Sequence, residues 1–306
     1  MPLLEPVPDL RSLDLLRSVA ELGSIRQAAL SHGISQPAAS MRLRSLERSL
    51  GLQLLDRSQG RAHVTSTGEA VVQWSEDVLG AMRNLLLGVE ALKTKGQTHL
   101  RVVASMTVAE YLVPDWLKRL RASDPDIVVS LQMGNTQHVI DEMIRGSADI
   151  GFVEGRDPPL GLRSRVVLVD DLVIVVAPSD RWARRTKPVT PGELSSTPLV
   201  LREAGSGTRA VLERALLEHQ LPLTTSVELG STTAMKSAVA SGAGPGVMSR
   251  LAVAAEVLEG RLVVVETEEL ALHRSIRLVW SANRPLSPAA KRLLRQIDEP
   301  VSPRRR

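Results

Sequence analysis

The chain contains no cysteine, and only four Trp, one Tyr and one Phe occur among its 306 residues. Without cysteine it can form no disulfide, thiolate zinc site or iron–sulfur cluster. So few aromatic rings argue against the base-stacking surfaces that bind single-stranded nucleic acid. No apolar run reaches the roughly 18 residues of a membrane span. The N-terminus lacks the basic and apolar regions of a secretory signal, so we expect a cytoplasmic protein without membrane contact.

What is present is typical of a folded globular protein, with 43% hydrophobic and 24% charged residues. The net charge of +4 is too small to identify a partner, but it is unevenly distributed. Residues 24–61 carry six arginines against two acids, a local net charge of +4, whereas residues 67–303 are near neutral. The segment 24–61 is therefore the first candidate for contact with a polyanion.

Three styles of sequence follow one another and predict an α/β protein with an N-terminal all-α domain. Residues 10–66 show short helical patterns without a convincing strand. From residue 97 onwards, strand-like runs alternate with helical ones, including a helix over Val108–Ala122, which predicts mostly parallel sheets. The predicted boundaries are 1–66 for the first domain, 67–96 for a linker helix, 97–300 for the α/β domain and 301–306 for a basic tail.

The linker helix carries an apolar stripe with spacings of three and four residues. Its members are Val71, Trp74, Val78, Ala81, Leu85, Gly88 and Leu92. Such a stripe favours pairing with another helix, as in a dimer. The alternative is a helix that packs on its own domain, but no core-forming elements neighbour it in the sequence.

The α/β domain is predicted to have two lobes. The long β-rich run Asp170–Pro178 is followed by a polar, proline-containing stretch, and the chain returns near His273–Arg277. We therefore expect one lobe from about 97–175 together with 276–300, and a second from about 176–275.

Residues 24–44 predict two helices joined by a tight turn. Ala28 and Ala29 are small enough for the helices to cross closely, and Gly33 permits a positive φ in the turn. Ser35 can cap the second helix, and Pro37 is tolerated in its first turn, where its missing N–H has no intrahelical partner.

The second helix would expose Gln36, Ser40, Arg42 and Arg44. Gln can bind adenine with two hydrogen bonds, Ser can bind bases or phosphate, and Arg can bind guanine or phosphate. Arg57 and Arg61 follow in a glycine-containing turn that suits a wing gripping the DNA backbone. An ordinary helical hairpin would show a similar local pattern, but the local positive charge and the following helix favour double-stranded DNA.

This stretch resembles the winged helix–turn–helix of LysR-type transcriptional regulators. The motif residues are Ala28-Ala29, Ser35–Ser40, Leu46-Glu47 with Leu50-Gly51, Leu54–Arg57, and Thr65 with Gly68. The resemblance implies that Ser35, Gln36, Pro37 and Ser40 face the major groove and that Arg57 grips the backbone. It also implies a dimer of dimers on promoter DNA and contact with RNA polymerase. His32 stands where the family usually has a buried Leu, either as a hydrogen-bonded histidine between helices or as a phosphate contact.

Four strand-to-helix junctions of the α/β domain carry small polar residues. The candidate effector-binding residues are Ser105, Thr107, Asn135, Thr136, Gln137, Ser206, Thr208, Ser231 and Thr232. Ligands bind open α/β sheets at the carboxyl ends of strands, and helix N-termini attract anions. Four such junctions on one cleft would form an anion pocket without any charged side chain. Alternatively, these residues simply cap helices.

The resemblance to LysR-type regulators extends over nearly the whole remaining chain. It implies a two-lobed effector domain similar to periplasmic solute-binding proteins. Matches at Glu110–Leu112, Gly134–Thr136, Val153–Gly155, Gly205–Arg209 and Glu228–Lys236 most resemble the branch that senses small anions or metabolites in sulfur assimilation and carbon fixation.

Two other classes of protein compete with a ligand-responsive regulator. A solute-binding module without DNA function would not need residues 10–66. An enzyme is disfavoured because Gly205-Ser206-Gly207 lacks the Gly-x-Ser-x-Gly elbow and because the six histidines show no metal-ligand spacing. Gly242-x-Gly244-x-Gly246 does not match the dinucleotide fingerprint either. We therefore expect no catalysis, no metal and no cofactor.

Overall fold

A computed structural model describes residues 7–56, 63–93 and 98–298. The chain divides into two compact units, residues 1–90 and 91–306. The elements of the first unit are α1 (Leu10–Leu22), α2 (Ile25–Ser31), α3 (Gln36–Leu50), β1 (Leu55–Asp56), β2 (His63–Val64) and α4 (Ser66–Lys93). Across the described residues, no helix combines the length and the apolar character needed to span a lipid bilayer.

Side-chain caps set the starts of the three short helices. Asp9, Ser24 and Ser35 each accept a hydrogen bond from a backbone N–H in the first turn of α1, α2 and α3. The helices bury a shared core that includes Leu15, Leu16, Ala28, Ala39 and Leu43. The short antiparallel pair β1–β2, which the sequence pattern does not predict, adds the base of a wing. Two-residue strands are too short to show an alternating pattern.

The second unit alternates strands and helices. Its elements are β3 (Thr98–Ser105), α5 (Met106–Tyr111), α6 (Val113–Ser123), β4 (Ile127–Gly134), α7 (Thr136–Ile144), β5 (Ile150–Gly155), β6 (Leu162–Val176), α8 (Pro191–Ser196), β7 (Leu199–Arg202), α9 (Gly207–Glu218), β8 (Thr225–Leu229), α10 (Thr232–Ala240), β9 (Gly246–Ser249), α11 (Arg250–Leu258), β10 (Val263–Val265), β11 (His273–Ser281) and α12 (Pro288–Asp298).

The strands lie in the order β4-β3-β5-β11-β6-β9-β7-β8, with β10 paired to β6. β3 pairs in parallel with β4 and β5, and β7 pairs in parallel with β8 and β9. β6 and β11 instead make antiparallel ladders with each other and with β5, β9 and β10. The prediction of mostly parallel sheets is therefore wrong, because β6 and β11, the two strands that join the lobes, run antiparallel to their neighbours.

Separate hydrophobic cores define two lobes. The first lobe packs residues such as Leu100, Phe152 and Ile276, and the second packs residues such as Leu172 and Leu212. β6 leaves the first core after residue 167 and joins the second core at residue 172. β11 returns beside it, so two adjacent antiparallel strands connect the lobes.

Helical packing departs from the sequence pattern in the first lobe. The predicted helix Val108–Ala122 is two helices, because the chain turns at Leu112, just ahead of Pro114 in the first turn of α6. The C-terminal helix α12, which the sequence analysis does not predict, buries Ala289 and Leu293 in the same core.

Candidate functional sites

The first candidate site is the exposed face of α3. Gln36, Pro37 and Arg44 are exposed, and Ser40 and Arg42 are half-buried. The opposite face buries Ala39, Leu43 and Leu46 in the core of the first unit. Positions 36, 40 and 44 are four residues apart, so they form one polar stripe along the helix. Ser35 sits at the N-cap, where its Oγ accepts a hydrogen bond from the N–H of Ala38 at 3.3 Å.

The turn before α3 fixes how the two helices meet. Gly33 adopts a φ of +63°, a region that glycine enters without strain. His32, at the end of α2, places its Nε2 2.8 Å from the hydroxyl of Ser18 on α1. This is the interhelix histidine, one of the two possibilities that the sequence left open.

Three motif residues fix the start of the wing to the helices. Oε1 of Glu47 accepts hydrogen bonds from the backbone N–H groups of Leu54 and Leu55, both at 3.0 Å. The hydroxyl of Thr65 donates to the carbonyl of Gln53 at 2.8 Å and accepts from the N–H of Gly68 at 3.0 Å. Glu47 and Thr65 therefore stabilise the fold of this unit through hydrogen bonds to its backbone. Arg57 and Arg61 lie outside the described residues.

The second candidate site lies where the four polar junctions meet between the lobes. In the first lobe, Ser105 is the residue before α5 and Thr107 lies in its first turn, and residues 135–137 lead into α7. Ser206, Thr208, Ser231 and Thr232 lead into α9 and α10 in the second lobe.

Backbone and amide groups join two of these junctions across the lobes. Nδ2 of Asn135 donates to the carbonyl of Ala204 at 3.3 Å, and the N–H of Gln137 donates to the carbonyl of Gly205 at 3.2 Å. A Cβ on Gly207 would lie 2.5 Å from the carbonyl oxygen of Glu154 and 2.9 Å from Oγ1 of Thr136. Glycine at position 207 thus lets the start of α9 rest directly on the first lobe.

A buried ionic hub, which we define as Arg274, Glu154 and Asp170, fills the centre of this site. The side chain of Arg274 on β11 is 0% exposed and pairs with Glu154 of β5 and, at 2.8 Å, with Asp170 of β6. Its guanidinium also donates to Oγ1 of Thr208 at 2.9 Å and to Oγ1 of Thr107 at 3.1 Å. The hub therefore binds candidate effector residues from both lobes.

Two serines complete the hydrogen bonds of the hub carboxylates. Ser105 donates to Oε1 of Glu154 at 2.7 Å, and Ser249 donates to Oδ1 of Asp170 at 2.8 Å. Burial raises the pKa of Asp170 above its usual value, although Arg274 and Ser249 act in the opposite direction.

A second ion pair lies at the other junctions. Arg202, at the end of β7, binds both carboxylate oxygens of Glu203 at 2.8 Å and donates to Oγ1 of Thr232 at 3.4 Å. Burial opposes the ionisation of Glu203, but hydrogen bonds from Arg202 and Asn135 outweigh it, and the pKa of Glu203 is lowered. The expectation of a pocket without charged side chains is therefore wrong.

The sequence contains a signal for the hub that the sequence analysis missed. Arg274 lies two residues before Ile276 and four before Leu278, both of which are buried. Side chains at every second position of a strand point to the same face, so Arg274 occupies a core-facing position of β11. Asp170 likewise shares a face of β6 with buried apolar residues at every second position, and Glu154 shares a face of β5 with buried apolar residues. A charge in the core register of a strand rarely occurs without a partner. The partners lie far apart in the chain, so the pattern alone could not pair them.

Comparison with known proteins identifies both units. A family model described as "Bacterial regulatory helix-turn-helix protein, lysR family" matches residues 10–69, and one described as "LysR substrate binding domain" matches residues 93–300. A curated HTH-type transcriptional regulator of Mycobacterium tuberculosis is 39% identical over 309 aligned residues, covering 97% of this chain and 98% of that protein.

Two further similarities cover the effector domain, the first together with most of the rest of the chain. The HTH-type transcriptional regulator CbbR of Xanthobacter flavus is 33% identical, covering 93% of this chain and 86% of that protein, which agrees with the resemblance to the carbon-fixation branch. The solved CcmR regulatory domain of Synechocystis, in complex with 2-PG, is 26% identical with a TM-score of 0.60. It covers 66% of this chain and 96% of that domain.

Proposed function

The chain belongs to the LysR family of bacterial transcriptional regulators, and on that premise we propose that a small anion bound between its two lobes controls its action on promoter DNA. It is a DNA-binding regulator and not an enzyme. The helix–turn–helix match sets aside a solute-binding protein without DNA function. Because its target is DNA, we place the protein in the cytoplasm.

The observation that carries the effector proposal is the convergence of polar groups between the lobes. Candidate residues from both lobes contact one buried cation, Arg274, through Thr107 and Thr208. The helices that begin at these junctions place the positive ends of their dipoles there, which favours negative charge. In the similar CcmR regulatory domain, the ligand named is 2-PG. A cleft of this chemistry suits an oxyanion or a small carboxylate.

Lobe movement offers a route from the cleft to the DNA. The lobes are joined only by β6 and β11 among the described strands, and hydrogen bonds across the cleft hold them together. An anion that binds one arrangement of the lobes more tightly shifts the population toward it. The α3 helices of the paired copies would then be repositioned through α4, and the regulator would act on RNA polymerase from the promoter.

Self-association is supported by the exposed apolar stripe of α4. Trp74, Val78 and Leu85 are 70%, 49% and 60% exposed, whereas Val71 packs in the core of its own unit. A large apolar side chain that is mostly exposed on a long helix favours a partner helix. We propose that α4 pairs between copies of the chain and that two such dimers form a tetramer.

Calorimetric titration of the full-length protein with sulfate, sulfite, phosphate, 2-PG and small carboxylates tests the effector site. At least one of these anions should bind, and Thr107→Ala and Ser231→Ala should each weaken it by about tenfold, the loss of one charge-assisted hydrogen bond. Ser123→Ala, at the end of α6, is the matched control and should bind as the wild type does. An anion whose affinity neither Thr107→Ala nor Ser231→Ala changes would bind elsewhere.

A further inference from the structure

The ionic hub carries more negative than positive charge. Arg274 is the one cation among the ion-pair partners described for Glu154 and Asp170, so the hub has a net charge of −1 when both acids are ionised. The three residues are buried, with Glu154 5% and Asp170 2% exposed. Buried charge that is not balanced is costly, because little solvent remains to screen it.

Glu154 already occupies the groups that an effector anion would use. Its carboxylate accepts hydrogen bonds from Ser105 and from Arg274, and Arg274 also donates to Thr107 and Thr208. Its Cβ would lie 2.8 Å from a Cβ at Gly207, so the first turn of α9 packs directly on it. An anion bound to these hydroxyls therefore lies close to the negative charge of Glu154, because the hydroxyls contact Glu154 either directly or through Arg274.

We propose that Glu154 sets the charge of the effectors that this site accepts, so that the site favours monoanions over dianions. This inference rests on the proposed function, because it concerns the same site. The repulsion between Glu154 and a ligand grows in proportion to the ligand's charge. Burial is the main cause of the raised pKa of Asp170, and the negative charge of Glu154 adds to it in the same direction.

Two oxyanions that differ by one charge test the proposal. Sulfate and methyl sulfate are titrated into the full-length protein and into Glu154→Gln, which removes the charge and keeps the size of the side chain. The affinity for sulfate should rise about tenfold and that for methyl sulfate about threefold, because the Coulomb energy scales with ligand charge. Asp149→Asn is the matched control: Asp149 precedes the same strand at its other end and pairs with Arg101. That variant should change neither affinity.

Asp170→Asn provides a second neutral hub should Glu154→Gln fail to give a folded protein. It should also favour sulfate more than methyl sulfate. The proposal is overturned if folded Glu154→Gln and Asp170→Asn bind sulfate no more tightly than the wild type, or if both ligands gain equally. These outcomes leave the proposed function intact when Thr107→Ala still weakens binding. Absence of binding of any tested oxyanion to the wild type and to all variants would instead overturn the proposed function itself.

Discussion

Tyr111 of the first lobe lies against Lys236 of the second, with Nζ 5.6 Å from the centre of the phenol ring. Lys236 is also paired with Glu256 at 2.8 Å and donates to the carbonyl of Ala252 at 3.1 Å. Tyr111 lies four residues after Thr107 on α5, and Lys236 lies four residues after Thr232 on α10. The contact between α5 and α10 therefore lies one helical turn beyond the candidate effector residues Thr107 and Thr232.

The ionisation of Tyr111 should report this contact, because the chain has a single tyrosine. Burial raises its pKa above 10.0, whereas Lys236 acts in the opposite direction. The near-ultraviolet absorbance of the folded protein should therefore show one tyrosinate step with a midpoint above 10.0, and Lys236→Met should raise the midpoint further. The protein unfolded in urea is the control, with an ordinary midpoint. A tyrosinate midpoint in Lys236→Met that equals or falls below that of the wild type would contradict this contact.

Gln36 should contribute to specific DNA recognition. It is exposed at the start of α3, and glutamine can make two hydrogen bonds to adenine. In mobility-shift assays on a promoter fragment that the wild type binds specifically, Gln36→Ala should weaken specific binding about tenfold. Non-specific binding, which depends on phosphate contacts, should change little. Gln73→Ala, on the exposed face of α4, is the matched control. Equal binding by both variants and the wild type would exclude Gln36 from base recognition.

Gly68 should be indispensable for the junction between the wing and α4. A Cβ at this position would lie 2.3 Å from the carbonyl oxygen of Leu54. We expect Gly68→Ala to lower the free energy of unfolding by about 1–3 kcal/mol, the usual cost of overpacking. Gly192→Ala is the matched control, because a Cβ there meets no atom within 4 Å. Chemical denaturation measures both, and equal stability of the two variants would show that the junction can relax.

Acid should weaken the second lobe through Glu193. Its carboxylate accepts hydrogen bonds from the backbone N–H of Thr190 at 3.0 Å and from Arg185 at 3.1 Å, which lower its pKa from 4.5 to about 2. The folded-state pKa is depressed, so the stabilisation is present above pH 4.5 and is lost as the pH falls toward 2. Urea unfolding between pH 4.5 and 2 should show that the free energy of unfolding falls more steeply for the wild type than for Glu193→Gln. Parallel pH profiles would contradict this role.

The local elements were predictable from the sequence, whereas their long-range pairing was not. Ser24 and Ser35 cap α2 and α3 where the pattern places them, because capping depends on neighbouring residues. Glu154, Asp170 and Arg274 come from three strands that lie far apart in the chain. Only the sheet order brings them together, so the sequence pattern predicts hydroxyls around an uncharged pocket and does not reveal the hub.

The roles of the individual site residues remain predictions. Gln36, Pro37, Ser40 and Arg44 lie on one face of α3 with Ser35 at its N-cap, whereas Arg42 lies about 200° around the helix from Ser40 and Arg44. DNA contact by each of them stays a prediction. The candidate effector residues lie between the lobes, and several of them are buried and bonded to the hub. Helix caps explain some of them as well: Asn135 and Ser231 accept hydrogen bonds in the first turns of α7 and α10.

DNase I footprinting with and without the anion identified by calorimetry tests the central claim most directly. The full-length wild type should protect its site on a promoter fragment that it binds specifically, and the saturating anion should change the extent of protection or the bend-sensitive cleavage sites. Thr107→Ala, at an anion concentration that leaves its site empty, should keep the anion-free footprint. Identical wild-type footprints at zero and saturating anion would contradict a regulator whose cleft controls its action on DNA.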